Sequence, residues 1–285
     1  MSIETTDTIL VTGATGKVGR RLTARLTAAG HDVRGVSRST AIPFDWHDES
    51  TWAAALDGVA AVYVIPPDEP FPAEAFAAAA VAAGARRLVS QSGRRIEVLT
   101  EAAGVGPDAI GMHAAQNAVQ GSDAEWTVLQ ANNFNQNFSE GDYRGAILAG
   151  ELALPVEGVV EPSIDADDIA AVAAAVLTED GHHGKVYELS GPEALSFAEV
   201  VDIIAKASGI PVAFRTESAE EHDAGMRSAG LPEPLIAFLN VMFQVMREGR
   251  IADVADGVER VLGRPPVAFA DWAARAAAEG AWAKG

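Results

Sequence analysis

Cysteine is missing from this chain altogether, so disulfides, thiolate catalysis and cysteine-ligated metals are excluded together. Positive charge is scarce: 21 Lys and Arg stand against 40 Asp and Glu, for a formal net charge of −19. A surface that acidic repels phosphate backbones and anionic lipid, which removes nucleic acid and membranes from the expected partners. Long apolar runs are absent too. Segments such as residues 169–177 fall well short of the ~20 residues a membrane helix needs. The opening Met1-Ser2-Ile3-Glu4-Thr5-Thr6-Asp7 lacks the basic and apolar regions of a signal peptide, so the expectation is a cytoplasmic protein. What is present is ordinary for a folded domain: 48% hydrophobic and 21% charged residues in a chain of 285, enough for one large α/β domain or two modest ones.

Through the first half, short β-rich runs alternate with alanine-rich helical segments, the pattern of a parallel sheet with crossover helices. Strands are predicted over residues 8–12, 32–37, 60–65, 87–90 and 126–130. Helices are predicted over 17–29, 52–56, 72–83 and 111–120. The fold class is therefore α/β, a doubly wound parallel Rossmann sheet. After residue 131 the pattern changes. Residues 132–138 hold four asparagines beside aromatics, which suits neither a buried strand nor a regular helix. Residues 164–177 read as a strand entering a helix, 186–189 as one more strand, and 196–207 as a helix whose Ser196 and Glu199 fit a capping box. Residues 217–248 begin acidic and become rich in Leu, Ile, Phe and Met. They are either a helix packing on the sheet or a movable lid over a hydrophobic ligand. The expected organisation is a Rossmann core over 1–131. Residues 132–285 then supply the remaining core elements and a smaller substrate-binding lobe that is not a separable domain.

The chemistry is carried by residues 9–20, Ile-Leu-Val-Thr-Gly-Ala-Thr-Gly-Lys-Val-Gly-Arg. The triplet Gly13, Gly16 and Gly19 follows a β-branched strand directly and opens a helix. Gly13 permits the tight turn, Gly16 lets the backbone approach a pyrophosphate, and Gly19 allows close helix–strand packing. Free amides at the helix start face the phosphates, so Gly13, Thr15, Gly16, Lys17, Val18 and Gly19 are expected to hold them. An NAD site usually ends its second strand with an acid. Here the strand ends in Ser37-Arg38, and Arg38 could pair with a 2′-phosphate with Ser37 donating a hydrogen bond. NADP(H) is accordingly the preferred cofactor. The other reading makes Arg38 a solvated loop residue and leaves NAD(H) possible. Asp45 and Trp46 stand where an adenine edge could be held, although Trp46 could equally be core.

The Gly13-x-x-Gly16-x-x-Gly19 spacing resembles the atypical short-chain dehydrogenases, specifically the NmrA-like group. Trp126-Thr127-Val128-Leu129 with the asparagine-rich stretch, the strand Val186–Leu189 before Ser190-Gly191-Pro192, and the tail Gly263-Arg264-Pro265-Pro266 with Phe269-Ala270-Asp271-Trp272 are similar to that group as well. The nearest enzymes in it are quinone and triphenylmethane reductases and ergot-alkaloid iminium reductases. NmrA itself is a nucleotide sensor that acts through a protein partner. Typical short-chain dehydrogenases use Tyr-x-x-x-Lys, the lysine helping the tyrosine donate a proton. Here Tyr63, Tyr143 and Tyr187 are followed four residues on by Pro67, Ile147 and Gly191. The lysines are Lys17, Lys185, Lys206 and Lys284, and Met112 stands where isoflavone-reductase-like relatives carry a catalytic lysine.

The resemblance then implies an NADPH-dependent reductase of a small, electron-poor, largely apolar acceptor: an imine or iminium, a quinone or an activated carbonyl. The alternative is a non-catalytic NADP(H) sensor. Pro66, Pro67, Gln91 and Ser92 would border the path from adenosine to nicotinamide, and Asn133 and Phe134 would lie beside the ring. His113 and Ser92 are the candidate proton donors. Phe134, Phe138, Met226, Phe238 and Met242 would contact substrate. Asp165, Asp167 and Asp168 read as helix N-terminal charges rather than a metal site, and His182-His183 as an exposed turn. A homodimer is possible.

Overall fold

The computed structural model describes residues 3–283; readings that touch Met1, Ser2 and Lys284 lie outside them. Its centre is a six-stranded parallel sheet in the order β2-β1-β3-β4-β5-β8. The strands are β1 Thr8–Thr12, β2 Asp32–Val36, β3 Val59–Val64, β4 Arg87–Gly93, β5 Glu125–Ala131 and β8 Lys185–Leu189. All six residues of β3 are buried, as a strand covered on both faces requires. The third edge strand of the full doubly wound order shrinks to a single bridge, Ser37 to Pro43. Proline has no amide to extend a ladder from that point.

One face is covered by α1 Lys17–Ala28, α7 Ala166–Thr178 and α11 Gly257–Leu262, whose apolar residues join Ile9, Val11, Tyr63 and Leu129 in one core. In α1, Val18, Leu22 and Leu26 recur every four residues and make that buried stripe. The other face carries α2 Trp52–Leu56, α3 Ala73–Ala82 and α5 Gly111–Gln120. Between β4 and α5 lies α4 Ile96–Ala103, a helix that the sequence reading passed over. Its signal was there in the spacing of Ile96, Leu99 and Thr100 and in the C-cap Gly104, which adopts φ +66°.

The second half adds β8 to the sheet and builds a lobe over its carboxyl edge. The lobe consists of α6 Arg144–Ala149, β6 Glu151–Leu154, β7 Val160–Glu161, β9 Leu195–Ser196, α8 Phe197–Ser208, β10 Ala213–Thr216, α9 Ala219–Ser228, α10 Glu233–Arg247 and α12 Phe269–Ala278. Strand β10 pairs parallel with β6 and β7 pairs antiparallel with β9. A separate core forms around Phe138, Ile147, Phe197, Ile204, Phe243 and Trp272. The capping box expected at Ser196 and Glu199 is present, and a second one starts α9 at Ser218 and Glu221. Helix α10 packs on α4 and α9 and into this lobe core, a placement that differs from a helix lying on the sheet. Among the described residues no helix is long and apolar enough to cross a membrane.

Asp165 stands at the N-terminus of α7, as read from the sequence, and its side chain caps the helix there; Asp165 and Asp168 are also fully buried. Arg275 pairs with Asp165, and Arg264 reaches Asp168 at 2.7 Å. Each acid is therefore held by an arginine from the C-terminal hundred residues, fastening the lobe to the sheet helices.

Candidate active site

The crevice lies where the strand order reverses, between the carboxyl ends of β1 and β3. Thr12 ties those ends together: its Oγ1 accepts from the Ile65 amide at 2.8 Å and stands 3.2 Å from the Tyr63 carbonyl. The chain then turns at Gly13 with φ +59°, a left-handed conformation that costs a glycine little. Gly16 caps α1 without a side-chain hydrogen bond, leaving the first amides of the helix free to bind an anion. A Cβ on Gly19 would stand 2.2 Å from the Gly13 carbonyl oxygen, so this position tolerates nothing larger than glycine. Gly35 in β2, given no role in the sequence reading, has a matching function. A Cβ there would come within 2.8 Å of Ala14 Cβ, and a glycine inside a strand is the usual sign of such an approach.

At the end of β2, the Ser37 hydroxyl accepts from the Ser39 amide at 3.2 Å. Arg38 is exposed and makes no ion pair or hydrogen bond with the described residues. Asp45 serves its own turn, accepting from the His47 amide at 2.9 Å and, through its carbonyl, from Trp52 Nε1 at 3.0 Å. Trp46 packs among Phe44, Phe71 and Phe76 at 4.7–4.8 Å between ring centroids, the core alternative left open above. The Pro66-Pro67 turn is pressed against α5, where a Cβ on Gly111 would meet the Pro67 carbonyl oxygen at 2.0 Å.

From the glycine loop a cleft of about 830 Å³ runs across the ends of β4 and β5 to the lobe. Lys17, Gln91, Ser92, Asn133, Phe134, Met226, Phe238 and Met242 all line it, so residues far apart in sequence meet there. Of the candidate proton donors and substrate contacts, two fall outside. Phe138 lines a smaller adjoining cavity. The His113 ring turns to Thr100, with Nδ1 2.8 Å from its hydroxyl, and is not among the cleft-lining residues. Ser92 Oγ donates to the Met112 carbonyl at 3.4 Å, a long bond that leaves it adaptable.

The cleft also contains groups the sequence reading did not single out. Asp68 and Asp142 stand at the Lys17 end. Lys17 Nζ donates to Asn137 Oδ1 at 2.9 Å, and burial lowers its proton affinity against the attraction of Asp142 and Asp68. Burial likewise raises Asp68, aided by neighbouring Glu69. Arg94, almost wholly buried, bonds Glu188 at 2.7 Å and Asp253 at 2.8 Å, pinning the segment after α10 to the sheet edge. Arg95 beside it holds φ +50°, the single non-glycine left-handed residue among those described. No local pattern announces these residues, because their partners are remote in the chain: Lys17 for Asp68 and Asp142, Glu188 and Asp253 for Arg94 and Arg95.

Comparison with known proteins accords with this geometry. A family model described as NAD(P)H-binding matches residues 13–180. The chain belongs to that NAD(P)H-binding family. It is 36% identical over 296 residues to an NAD(P)H azoreductase of Xenophilus azovorans, covering 96% of this chain and 99% of that protein. It is 34% identical over 282 residues to an uncharacterized oxidoreductase, YesF, of Bacillus subtilis, covering 95% of each. Among solved structures, an NADPH-dependent quinone oxidoreductase of Escherichia coli in complex with NADPH superposes with a TM-score of 0.72 at 24% identity, covering 94% of this chain and 99% of that one. At that identity the superposition speaks for the fold. The NmrA-like resemblance and the Rossmann fold read from the sequence are borne out. The family's NAD(P)H fits the residues present: a loop with a left-handed Gly13 and a Gly19 that has no room for a Cβ, unpaired amides at the start of α1, and an unpartnered arginine at the end of β2.

Proposed function

We propose that this family member is an NADPH-dependent reductase of a small, electron-poor, largely apolar acceptor. One observation carries the reading: a single cleft joins Lys17 of the glycine loop to an apolar wall from α9 and α10 that includes Met226, Phe238 and Met242. Its size falls within the range of small-molecule sites. The enzyme class accords with relatives that are themselves named as NAD(P)H-dependent reductases.

In this reading the α1 amides of Lys17, Val18 and Gly19, with Gly13, Thr15 and Gly16, hold the pyrophosphate. Ser37 and Arg38 receive the 2′-phosphate, which favours NADPH over NADH. Pro66, Pro67, Gln91 and Ser92 border the path to the ring, and Asn133 and Phe134 orient it. When bound, the reduced nicotinamide supplies a hydride. The chain's part is to align the acceptor against it and to keep water out, and alignment alone can lower a barrier by up to about 7–11 kcal/mol. An acceptor that is already cationic, such as an iminium or a triarylmethane dye, then needs no acid. Without a Tyr-x-x-x-Lys motif, simple alcohol dehydrogenation is the less suited chemistry.

The test is NADPH and NADH consumption with a panel of quinones, azo and triarylmethane dyes, cyclic imines and enones. Turnover of at least one class, faster with NADPH, is expected. Tight cofactor binding with no consumption across the panel would replace the reductase with the sensor.

A further inference from the structure

Beside the cleft lies a second, much smaller cavity, and a carboxyl group faces it. Glu161, in β7, is 6% exposed and accepts from Asn133 Nδ2 at 2.6 Å. Strand β9 fixes it from behind through the Glu161–Leu195 pairing. No cation is paired with it among the described residues. The cation whose charge acts on it, Arg94, is committed to Glu188 and Asp253. Tyr143, on the turn into α6, is the other titratable group facing it, and Asp142 acts on Tyr143 in turn. The side chains from β9 and α8 that line the cavity, Leu195, Phe197 and Val200, are apolar. A buried, unpaired carboxylate is costly, so such a group keeps its proton. Burial pushes the Glu161 carboxyl up to about 7, against the opposing pull of Asn133 and Arg94.

The cavity has about 20 Å³ of room, enough for one water by the usual measure of such spaces. Four of its lining residues, Asn133, Phe134, Asn137 and Tyr143, also line the cleft. Of these only Tyr143 carries a hydroxyl able to take one proton while giving another. Amide and phenyl groups do not relay protons in that way.

We propose that Glu161 is the proton store for the reduced acceptor, delivering through a water in the small cavity and the Tyr143 hydroxyl into the cleft. This rests on the reductase reading above, and matters only for acceptors that need a proton. For an azo compound the balance is complete. Hydride arrives at one nitrogen and forms an N–H bond. The N=N π bond breaks and its electron pair moves to the second nitrogen. That nitrogen takes the Tyr143 proton, Tyr143 takes one from the water, and the water takes one from Glu161. The azo compound is reduced to the hydrazo compound, the nicotinamide is oxidised, and solvent returns a proton to the Glu161 carboxylate. A triarylmethane cation takes the hydride at carbon and becomes neutral with no proton at all.

The experiment compares methyl red with malachite green, both with NADPH, in wild type, Glu161→Gln, Glu161→Asp and Tyr143→Phe. Glu161→Gln and Tyr143→Phe should lower kcat for methyl red by about 100-fold, the scale of a lost general acid, and lower it far less for malachite green. Glu161→Asp should recover part of the loss. In wild type, kcat for methyl red should fall as pH rises through about 7, because the acid form is spent there, while kcat for malachite green, referred to the dye still present as the cation rather than its carbinol, shows no such step. Infrared titration of the protein without cofactor should show a protonated-carboxyl band that vanishes through the same range and is missing in Glu161→Gln. Equal loss with both dyes would mean that Glu161 only supports the fold, and undiminished methyl red turnover would mean that it gives no proton; either overturns the proposal. If Glu161→Gln does not fold, the wild-type infrared titration and Tyr143→Phe decide, and no band titrating above the ordinary carboxylate range overturns it. Wild type reducing malachite green but not methyl red also counts against the proton store while sparing the reductase. Wild type reducing neither removes both.

Discussion

The two ends of the cleft are built by opposite means. At the glycine loop the working surface is backbone: a turn at Gly13, unpaired amides on α1, and two positions where any Cβ would strike another part of the chain. At the lobe the surface is side chain: Phe238 and Met242 on α10, Met226 on α9, and Glu161 behind Asn133. Backbone geometry admits almost no substitution, because nothing beside it can move aside. A side-chain wall of Met and Phe can repack around acceptors of different outline. One end is thus suited to a fixed cofactor and the other to variable acceptors.

The contrast can be broken most strongly at Gly19. Gly19→Ala puts a methyl group 2.2 Å from the Gly13 carbonyl oxygen, where only backbone could yield. Overpacking of that kind costs about 1–3 kcal/mol, and the loop it distorts should lose NADPH binding. Calorimetric titration and a melting curve check both, and normal NADPH affinity would show that the loop is more pliant than its geometry allows.

Arg38→Ala sharpens the cofactor end. Loss of a charge-assisted phosphate contact is worth about 1.5–3 kcal/mol, or roughly 10- to 100-fold in NADPH affinity. NADH affinity should stay as it was, since Arg38 has no partner in the protein to strand. An equal effect on both nucleotides would remove Arg38 from the 2′-phosphate site.

The smallest effect is expected at the lobe. Phe238→Ala or Met242→Ala should raise KM for an apolar acceptor by about tenfold, the loss of roughly 1.4 kcal/mol of apolar contact, with NADPH affinity unchanged. A change in NADPH affinity of similar size would place these side chains at the cofactor instead.

The same division separates what was legible in the sequence from what was not. The glycine triplet, the strands around it, the capping box at Ser196 and the N-terminal charges at Asp165, Asp167 and Asp168 were all visible, because each depends on neighbours within a few residues. Helix α4 was visible in principle through its spacing and Gly104. Ser92 and His113 looked alike as candidate acids, yet the fold lines the cleft with Ser92 and turns His113 to Thr100. The 217–248 segment could not be placed between sheet and cleft, since the apolar stripe of a helix says that something covers it but not what.

Local chemistry along the chain was thus sufficient for the α/β class, the dinucleotide loop and the basic end of β2. A turn, a cap and a helix start are short-range objects whose requirements are written in consecutive residues. Only the folded chain brought Lys17 to Asn137, Arg94 to Asp253, and Glu161 to a one-water cavity beside Tyr143. The acidity of a buried carboxyl depends on how much water and charge surround it. Those surroundings are supplied by β9, α8 and the asparagine-rich segment, which meet in space without being neighbours in sequence.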